Sequence, residues 1–342
     1  MLTRRQLLAV PLLLGACGRA DVAKDRPLFV ADAHPAEYPT VQGLFALDRI
    51  LAERTSGEMR LRIYAGGQLG SEKDTLEITI FGGLDMNRIN LAPLNSIVPE
   101  TLVLALPFLF RSVEHLRATL DSVPGRKILD TLTPHGLRGL CYYDSGARSF
   151  YNTRGPIHTP ADMQGLKIRV QNSDIYVAMV QALGANPTPI PYGEVYTALV
   201  QGVVDGAENN WPSYESSRHF EVAKHYSLTR HVLAPEVLVA SERTWRKLTE
   251  QQQEHLQAAA HESVPIMRAI WDQRVEDARR RLLEDGVELV EEVDHAAFSA
   301  RMLPVWDRFL TTPELRELSQ EIIDLDETAL RRPDPDGTGG EQ

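Results

Sequence analysis

The segment from Gln164 to Trp211, QGLKIRVQNSDIYVAMVQALGANPTPIPYGEVYTALVQGVVDGAENNW, constrains this chain more than any other. Leu166 to Val170 is a short β-rich run. Asn172 and Ser173 can cap a helix that carries Ile175, Val177, Met179, Val180 and Leu183 and stops at Gly184. A second extended run, Thr188 to Pro191, leads into a helix from Gly193 to Gln201 that ends at Gly202, and Val203 to Asn209 supplies a third strand. Strand, helix, strand, helix, strand at this spacing is half of a doubly wound α/β sheet, and such sheets bind ligands beyond the carboxyl ends of their strands. Arg169 closes the first strand and Asn209 the third, so parallel pairing brings a fixed cation and an amide to one rim.

The flanking sequence repeats the alternation without repeating the residues. Leu28 to Ala33 reads as a strand ending at His34, and Tyr38 to Ser56 as a helix closed by Gly57. Glu58 to Tyr64 alternates as a strand, and Ser71 caps a helix that begins at Glu72. The Gly-rich turn before it is no phosphate loop, because no Gly-Lys-Ser/Thr follows. Leu84 to Leu91 is a strand carrying Arg88 and Asn90; Leu137 to Tyr143 is another, and Gly146 to Gly155 reads as a crossing between two halves. The segment Trp211 to Tyr226 reads as helical, and Val232 to Ser241 as an extended return to the first half. From Thr249 to Asp285 apolar residues recur every three or four positions through Met267, Trp271, Val275, Ala278 and Leu282. Only Pro265 interrupts what is otherwise one long helix, and Arg331 to Gln342 is a Pro/Gly/Asp-rich tail read as disordered.

The N-terminus, MLTRRQLLAVPLLLGACGRA, has a basic start and an apolar run too short to span a bilayer, so residues 1–16 read as an export signal. Leu14-Gly15-Ala16-Cys17 resembles a lipoprotein processing site that would leave Cys17 acylated; an ordinary cut near Ala20 is the alternative, and Arg4-Arg5 also suits the twin-arginine route. Losing Arg4 and Arg5 takes the formal charge from −11 to −13, which disfavours nucleic acid and anionic lipid as partners. An anion site on so acidic a protein must rest on a few buried arginines. With Cys17 acylated, Cys141 has no disulfide partner and the core alone must hold the fold.

The run from Leu166 to Val232, with ALGA, GEVYTAL and VVDGAEN in that order, resembles the solute-binding proteins of TRAP (tripartite ATP-independent periplasmic) transporters, and the likeness extends from Phe29 to Leu330. That resemblance implies a two-lobed, periplasmic-binding-protein-like α/β fold with the long helix lying along both lobes. Lobe I would comprise residues 27–146 and 235–270, and lobe II residues 147–234 and 271–330. It implies a small carboxylate ligand, TRAP membrane permease subunits as partners, and no cofactor or catalysis.

A planar guanidinium grips a carboxylate through two parallel hydrogen bonds. From spacing alone Arg169 is as readily a surface arginine; the resemblance implies that it is the carboxylate clamp. It likewise implies that Arg148, otherwise a crossover salt bridge, is a second ligand arginine and that Asn209 helps to fix the ligand. In the first half Glu72 follows a turn at a strand's carboxyl end, where it could accept hydroxyl hydrogens or simply favour the dipole of the helix it starts. His34, Arg88 and Asn90 sit at corresponding strand ends, with interlobe hydrogen bonding equally open to each of these three. Trp211, Tyr192 and Tyr214 could face a sugar ring or pack between lobes. One clamp opposite acceptors such as Glu72, Asn90 and Asn209 suits a hydroxylated monocarboxylate better than a C4 dicarboxylate, whose second charge a pocket glutamate repels. The wording YDSGARSFYN and GSEKDTLE resembles the binders of D-glucuronate or D-galacturonate. An exported α/β enzyme is the rival reading, against which stands the lack of GxSxG, HExxH and a nucleotide loop. A sensor kinase as the partner of the closed form is a third.

Overall fold

The computed structural model describes residues 26–325. The expected signal (1–16), Cys17 and the tail 331–342 lie outside the described residues. Among those described, no helix is long and apolar enough to cross a membrane.

The described residues form eleven strands: β1 (Leu28–Ala31), β2 (Leu61–Tyr64), β3 (Met86–Asn90), β4 (Leu137–Tyr143), β5 (Ala147–Asn152), β6 (Lys167–Val170), β7 (Asn186–Pro189), β8 (Gly206–Asn209), β9 (His225–Leu233), β10 (Glu236–Ser241) and β11 (Glu288–Val290). They form a five-stranded sheet of order β2-β1-β3-β10-β4 and a six-stranded sheet of order β11-β9-β5-β8-β6-β7.

Each sheet is built around the same unit. In the first, β1 pairs in parallel with β2 on one side and β3 on the other; in the second, β6 does so with β7 and β8. A central strand whose two successors fall on opposite sides creates a switch point at its carboxyl end, where crossing helices diverge and leave room for a ligand. The next strand in each sheet comes from the other half of the chain. β10 runs antiparallel between β3 and β4, and β5 runs antiparallel between β8 and β9. The chain crosses from β4 to β5 through Asp144, Ser145 and Gly146, and returns from β9 to β10 through Ala234 and Pro235. The first crossing is thus shorter than the expected Gly146–Gly155, most of which is β5. Gly146 takes φ +61, and a Cβ there would stand 3.0 Å from the Trp271 ring, so this corner requires glycine.

The long helix runs unbroken from Glu250 to Glu284 with Pro265 inside it, and a capping box of Thr249 and Gln252 starts it. At 1.5 Å per residue it is about 52 Å long. Its Leu256, Ala259, Ala260, Met267 and Trp271 pack into the first core with Val41, Leu44 and Leu47 of helix Pro39–Arg54. Ala278 and Leu282 pack into the second, with Val195, Leu199, Tyr214 and Tyr226. Gly43 makes the close approach possible, since a Cβ on it would lie 2.9 Å from Met267 Cγ.

Three segments differ from the sequence reading. Only Trp211–Ser216 of the stretch to Tyr226 is α-helical; after a short 3₁₀ turn the chain is already in β9. β8 begins at Gly206 rather than Val203, whose side chain is exposed. The last helix, Pro313–Ile323, was expected within lobe II, yet Leu315, Leu318 and Ile322 join the cluster that holds Leu102 and Ile128, and Glu321 pairs with Lys127.

Candidate functional site

The carboxyl ends of β1 and β3 face those of β6 and β8 across a cleft of about 330 Å³, lined among others by Ala33, Glu72, Lys73, Arg169, Gln171 and Tyr192. It narrows inward to a space of about 20 Å³ bounded by His34, Glu72, Asn90, Arg148, Arg169 and Asn209, with Gln171, Tyr192 and Glu236 among the other walls.

The first-sheet wall is organised around Arg88, which is fully buried. Its Nε donates to Asp32 Oδ2 at 2.8 Å, Nη2 to Asp32 Oδ1, and Nη1 to Glu236 Oε2 at 2.6 Å and Glu72 Oε1 at 3.0 Å. Asp32 is saturated besides by the His34 backbone N–H and the Thr40 hydroxyl. Glu72 opens helix Glu72–Ile80 behind the Ser71 cap, and its Oε1 also accepts from the Asn90 backbone at 3.2 Å. Its Oε2 has no hydrogen-bond partner among the described residues, and the residue lines the cleft. Burial pushes the Glu72 carboxyl up, Arg88 pulls it down, and Glu236 pushes again; the outcome is about 7. Asn90 donates to Glu236 Oε1 at 3.1 Å. His34 stacks on Tyr38 at 3.8 Å, and burial beside Arg88 and Arg148 keeps its imidazole well below its ordinary pKa and neutral.

On the second-sheet wall, Arg148 of β5 reaches Glu208 through Nε and Nη2 and donates from Nη1 to Asn209 Oδ1 at 2.9 Å. Asn209 Oδ1 also accepts from the Asn210 N–H, leaving its Nδ2 without a protein partner among the described residues. Burial would raise the Glu208 carboxyl, but Arg148 and His231 bring it down to about 2. Arg169 is placed differently. Its Nε donates to the Ile190 carbonyl at 2.8 Å, only 3% of the residue is exposed, and no carboxylate of the described chain pairs with it. Burial therefore presses its pKa below the ordinary arginine value, although a guanidinium keeps its proton.

Direct contacts join the walls. With the Gln171 amide turned so that its oxygen and nitrogen exchange places, the orientation that satisfies both, it donates to Asn90 Oδ1 at 2.8 Å and accepts from the Arg148 terminal nitrogens at 3.0 and 3.1 Å. Tyr38 shares a 2.7 Å hydrogen bond with Ser213, and Asn95 donates to Ser173 at 2.9 Å.

Arg169, Arg148, Asn209, Glu72, His34 and Asn90 thus converge on one cleft. Arg88 does not line it: three carboxylates occupy its donors beneath the surface, so it holds the wall together. Trp211 is also elsewhere. At the start of its short helix it stacks on Tyr226 at 4.0 Å and borders a separate groove with Trp271 and Arg230. Of the other aromatic candidates Tyr192 lines the cleft and Tyr214 is core. Gln171 and Glu236 were missed. Gln171 follows Arg169 by two positions and so shares its face, a signal available in the sequence; Glu236 reaches Asn90 from 146 residues away.

The arrangement can hold an anion on Arg169 and accept or donate hydrogen bonds along both walls. The family profile of the bacterial extracellular solute-binding proteins, family 7 (DctP), matches residues 30–312. A TRAP periplasmic solute-binding protein of a Bradyrhizobium species, solved in complex with α/β-D-galacturonate, is 50% identical with TM-score 0.86, over 88% of this chain and 100% of that one. A second, from Chromohalobacter salexigens with bound D-glucuronate, is 41% identical with TM-score 0.85, over 87% of this chain and 99% of that one. The 2,3-diketo-L-gulonate-binding periplasmic protein of Escherichia coli is 34% identical over 73% of this chain and 76% of its own length. With its two switch-point sheets and a profile match across nearly the whole described chain, this protein belongs to the DctP family of TRAP-transporter solute-binding proteins.

Proposed function

We propose that this protein captures a hexuronate, D-galacturonate or D-glucuronate, in the periplasm and delivers it to a TRAP membrane permease. The observation that carries the reading is Arg169, a buried guanidinium with no protein anion among the described residues, at a cleft where Arg88 and Arg148 are both neutralised in place. A buried charge without a partner is costly. A ligand carboxylate on the Arg169 terminal nitrogens offsets that cost through two charge-assisted hydrogen bonds. The remaining groups at the cleft, Glu72 Oε2, Asn209 Nδ2 and Gln171, are suited to hydroxyls. The uronates bound by the similar solved structures agree with this chemistry. Ligand contact with both walls stabilises the closed arrangement, which is the form the permease would receive. The reading includes Cys17 as the acylated first residue of the exported form, and it involves no chemical conversion of the ligand.

Thermal shift and calorimetry on signal-free protein test it against uronates, aldonates, C4 dicarboxylates, 2-oxo acids and amino acids. At a hundred times its Kd a ligand adds about 2.7 kcal/mol, a rise of several degrees for a chain this long. A hexuronate should give that rise. Arg169→Ala should bind it at least ~100-fold more weakly, and Arg169→Lys should not restore affinity, because an ammonium lacks the fork. Stabilisation by C4 dicarboxylates alone would overturn the ligand assignment.

A further inference from the structure

We propose that Glu72 fixes the number of carboxylates the bound ligand can carry: it excludes the aldarate, the sugar acid oxidised at both ends, unless Glu72 itself takes up a proton. The proposal rests on the hexuronate reading above and goes one step further, to the end of the ligand that Arg169 does not hold.

The cleft is electrically polarised. Arg88 faces three carboxylates on the first-sheet wall, Asp32, Glu72 and Glu236. On the opposite wall Arg148 is balanced by Glu208, and Arg169 stands alone. With Lys73 and Glu194 of the outer cleft, four cations therefore meet five carboxylates when Glu72 is ionised, and the surplus negative charge lies on the wall opposite the clamp, where Asp32, Glu72 and Glu236 outnumber Arg88 and Lys73. A molecule that puts one carboxylate on Arg169 and reaches across the cleft meets Glu72, since both residues border the outer cleft and its inner extension. A hydroxyl arriving there donates to Glu72 Oε2, the oxygen without a protein partner. A second carboxylate cannot donate, and it faces two buried like charges in a medium of low dielectric.

Glu72 is also the one carboxyl of this wall able to change state without dismantling it. Asp32 accepts four hydrogen bonds and both Glu236 oxygens are engaged, whereas Glu72 commits only Oε1. A proton on Oε2 would turn the free acceptor into a donor aimed at the incoming carboxylate. The groups that face Glu72 are Lys73 on its own helix, Asp32 and His34 after β1, Arg88 on β3, Glu236 on β10, and Arg169 on β6. His34 is held neutral, and the Glu72 carboxyl, raised chiefly by burial, lies at about 7.

The test is calorimetric titration of the signal-free chain with D-galacturonate and with galactarate at pH 8 and pH 5.5, in the wild type and in Glu72→Gln. A carboxyl titrating near 7 is about one-tenth protonated at pH 8 and almost fully at pH 5.5, so wild-type affinity for galactarate should rise about tenfold on acidification. Affinity for galacturonate should change by less than about threefold, because the protonated carboxyl can still hydrogen-bond a hydroxyl. In Glu72→Gln galactarate should bind about tenfold more tightly at pH 8 than in the wild type, with no pH dependence left. Galacturonate binding together with a galactarate affinity that ignores both pH and the substitution overturns this proposal and leaves the hexuronate reading intact. Failure of the wild type to bind galacturonate at either pH overturns both. The wild-type pH comparison decides the matter even if Glu72→Gln does not fold.

Discussion

Arg148 and Arg169 come from neighbouring parts of one sheet, are almost equally buried, and differ in what they meet. Arg148 carries its counter-ion with it in Glu208; Arg169 has a backbone carbonyl. The same contrast divides the acids, and it gives Glu208 and Glu72 pH dependences of opposite sign. Glu208 falls from an ordinary 4.5 to about 2 in the fold, so its stabilisation is complete above pH 4.5 and is lost as pH drops toward 2. Glu72 moves the opposite way, from 4.5 to about 7, so the folded state holds its proton more tightly than the unfolded chain, and stability falls as pH rises from 4.5 through 7. Each contribution is on the order of 3 kcal/mol. Buried His34, His219 and His231, whose pKa values are lowered, act in the opposite sense up to pH 6.5, so the Glu72 contribution is read as a difference: the urea midpoint of Glu72→Gln relative to wild type should rise between pH 5 and pH 7.5. A variant that keeps the wild-type slope would show that Glu72 is not the group responsible.

At the scale of the element, what could be read from the sequence was local. The strand and helix alternation of 164–211 follows from capping residues, glycine stops and apolar spacing within a few residues, and parallel pairing of adjacent units then puts Arg169 and Asn209 on one rim. The long helix was legible for the same reason. The return of Val232–Ser241 to the first half was legible too, but neither its register nor the strand β5 was, because both strands are placed by pairings with segments distant in the chain, and so Glu236 was not assigned to the Arg88 wall. Trp211 misled because an aromatic beside a binding strand serves packing as readily as recognition, and only its partner, Tyr226 of β9, decides between them. The contact of the long helix with Pro39–Arg54 is equally invisible locally, yet it hangs on Gly43. Gly43→Val would drive a side chain into Met267 and the Tyr143 ring, both within 3.0 Å of a Cβ at that position. Overpacking of this kind costs about 2 kcal/mol, more than valine gains in helix propensity over glycine. Chemical denaturation should show the loss; an unchanged midpoint would mean that the two helices can separate freely.

For the whole molecule, closure is an equilibrium that ligand and protein contacts bias together. Asn95, after β3, donates to Ser173, just after β6, and neither residue belongs to the inner or outer cleft lining. Both are buried, at 7% and 9% exposed, so opening the lobes would hydrate groups that are now paired. Ser173 precedes helix Asp174–Ala182 without capping it through its side chain, so Ser173→Ala removes the interlobe bond and little else. Losing a buried hydrogen bond in the closed form alone costs about 1 kcal/mol, which should weaken hexuronate binding roughly fivefold through the open–closed equilibrium, with every ligand contact intact. Small-angle scattering should then find the ligand-free variant more expanded than the wild type, and saturating hexuronate should bring the two to the same radius of gyration. An affinity equal to wild type in a folded variant would mean that the bond persists in the open form, and that closure is governed by the ligand and by the Gln171 bridge between Asn90 and Arg148.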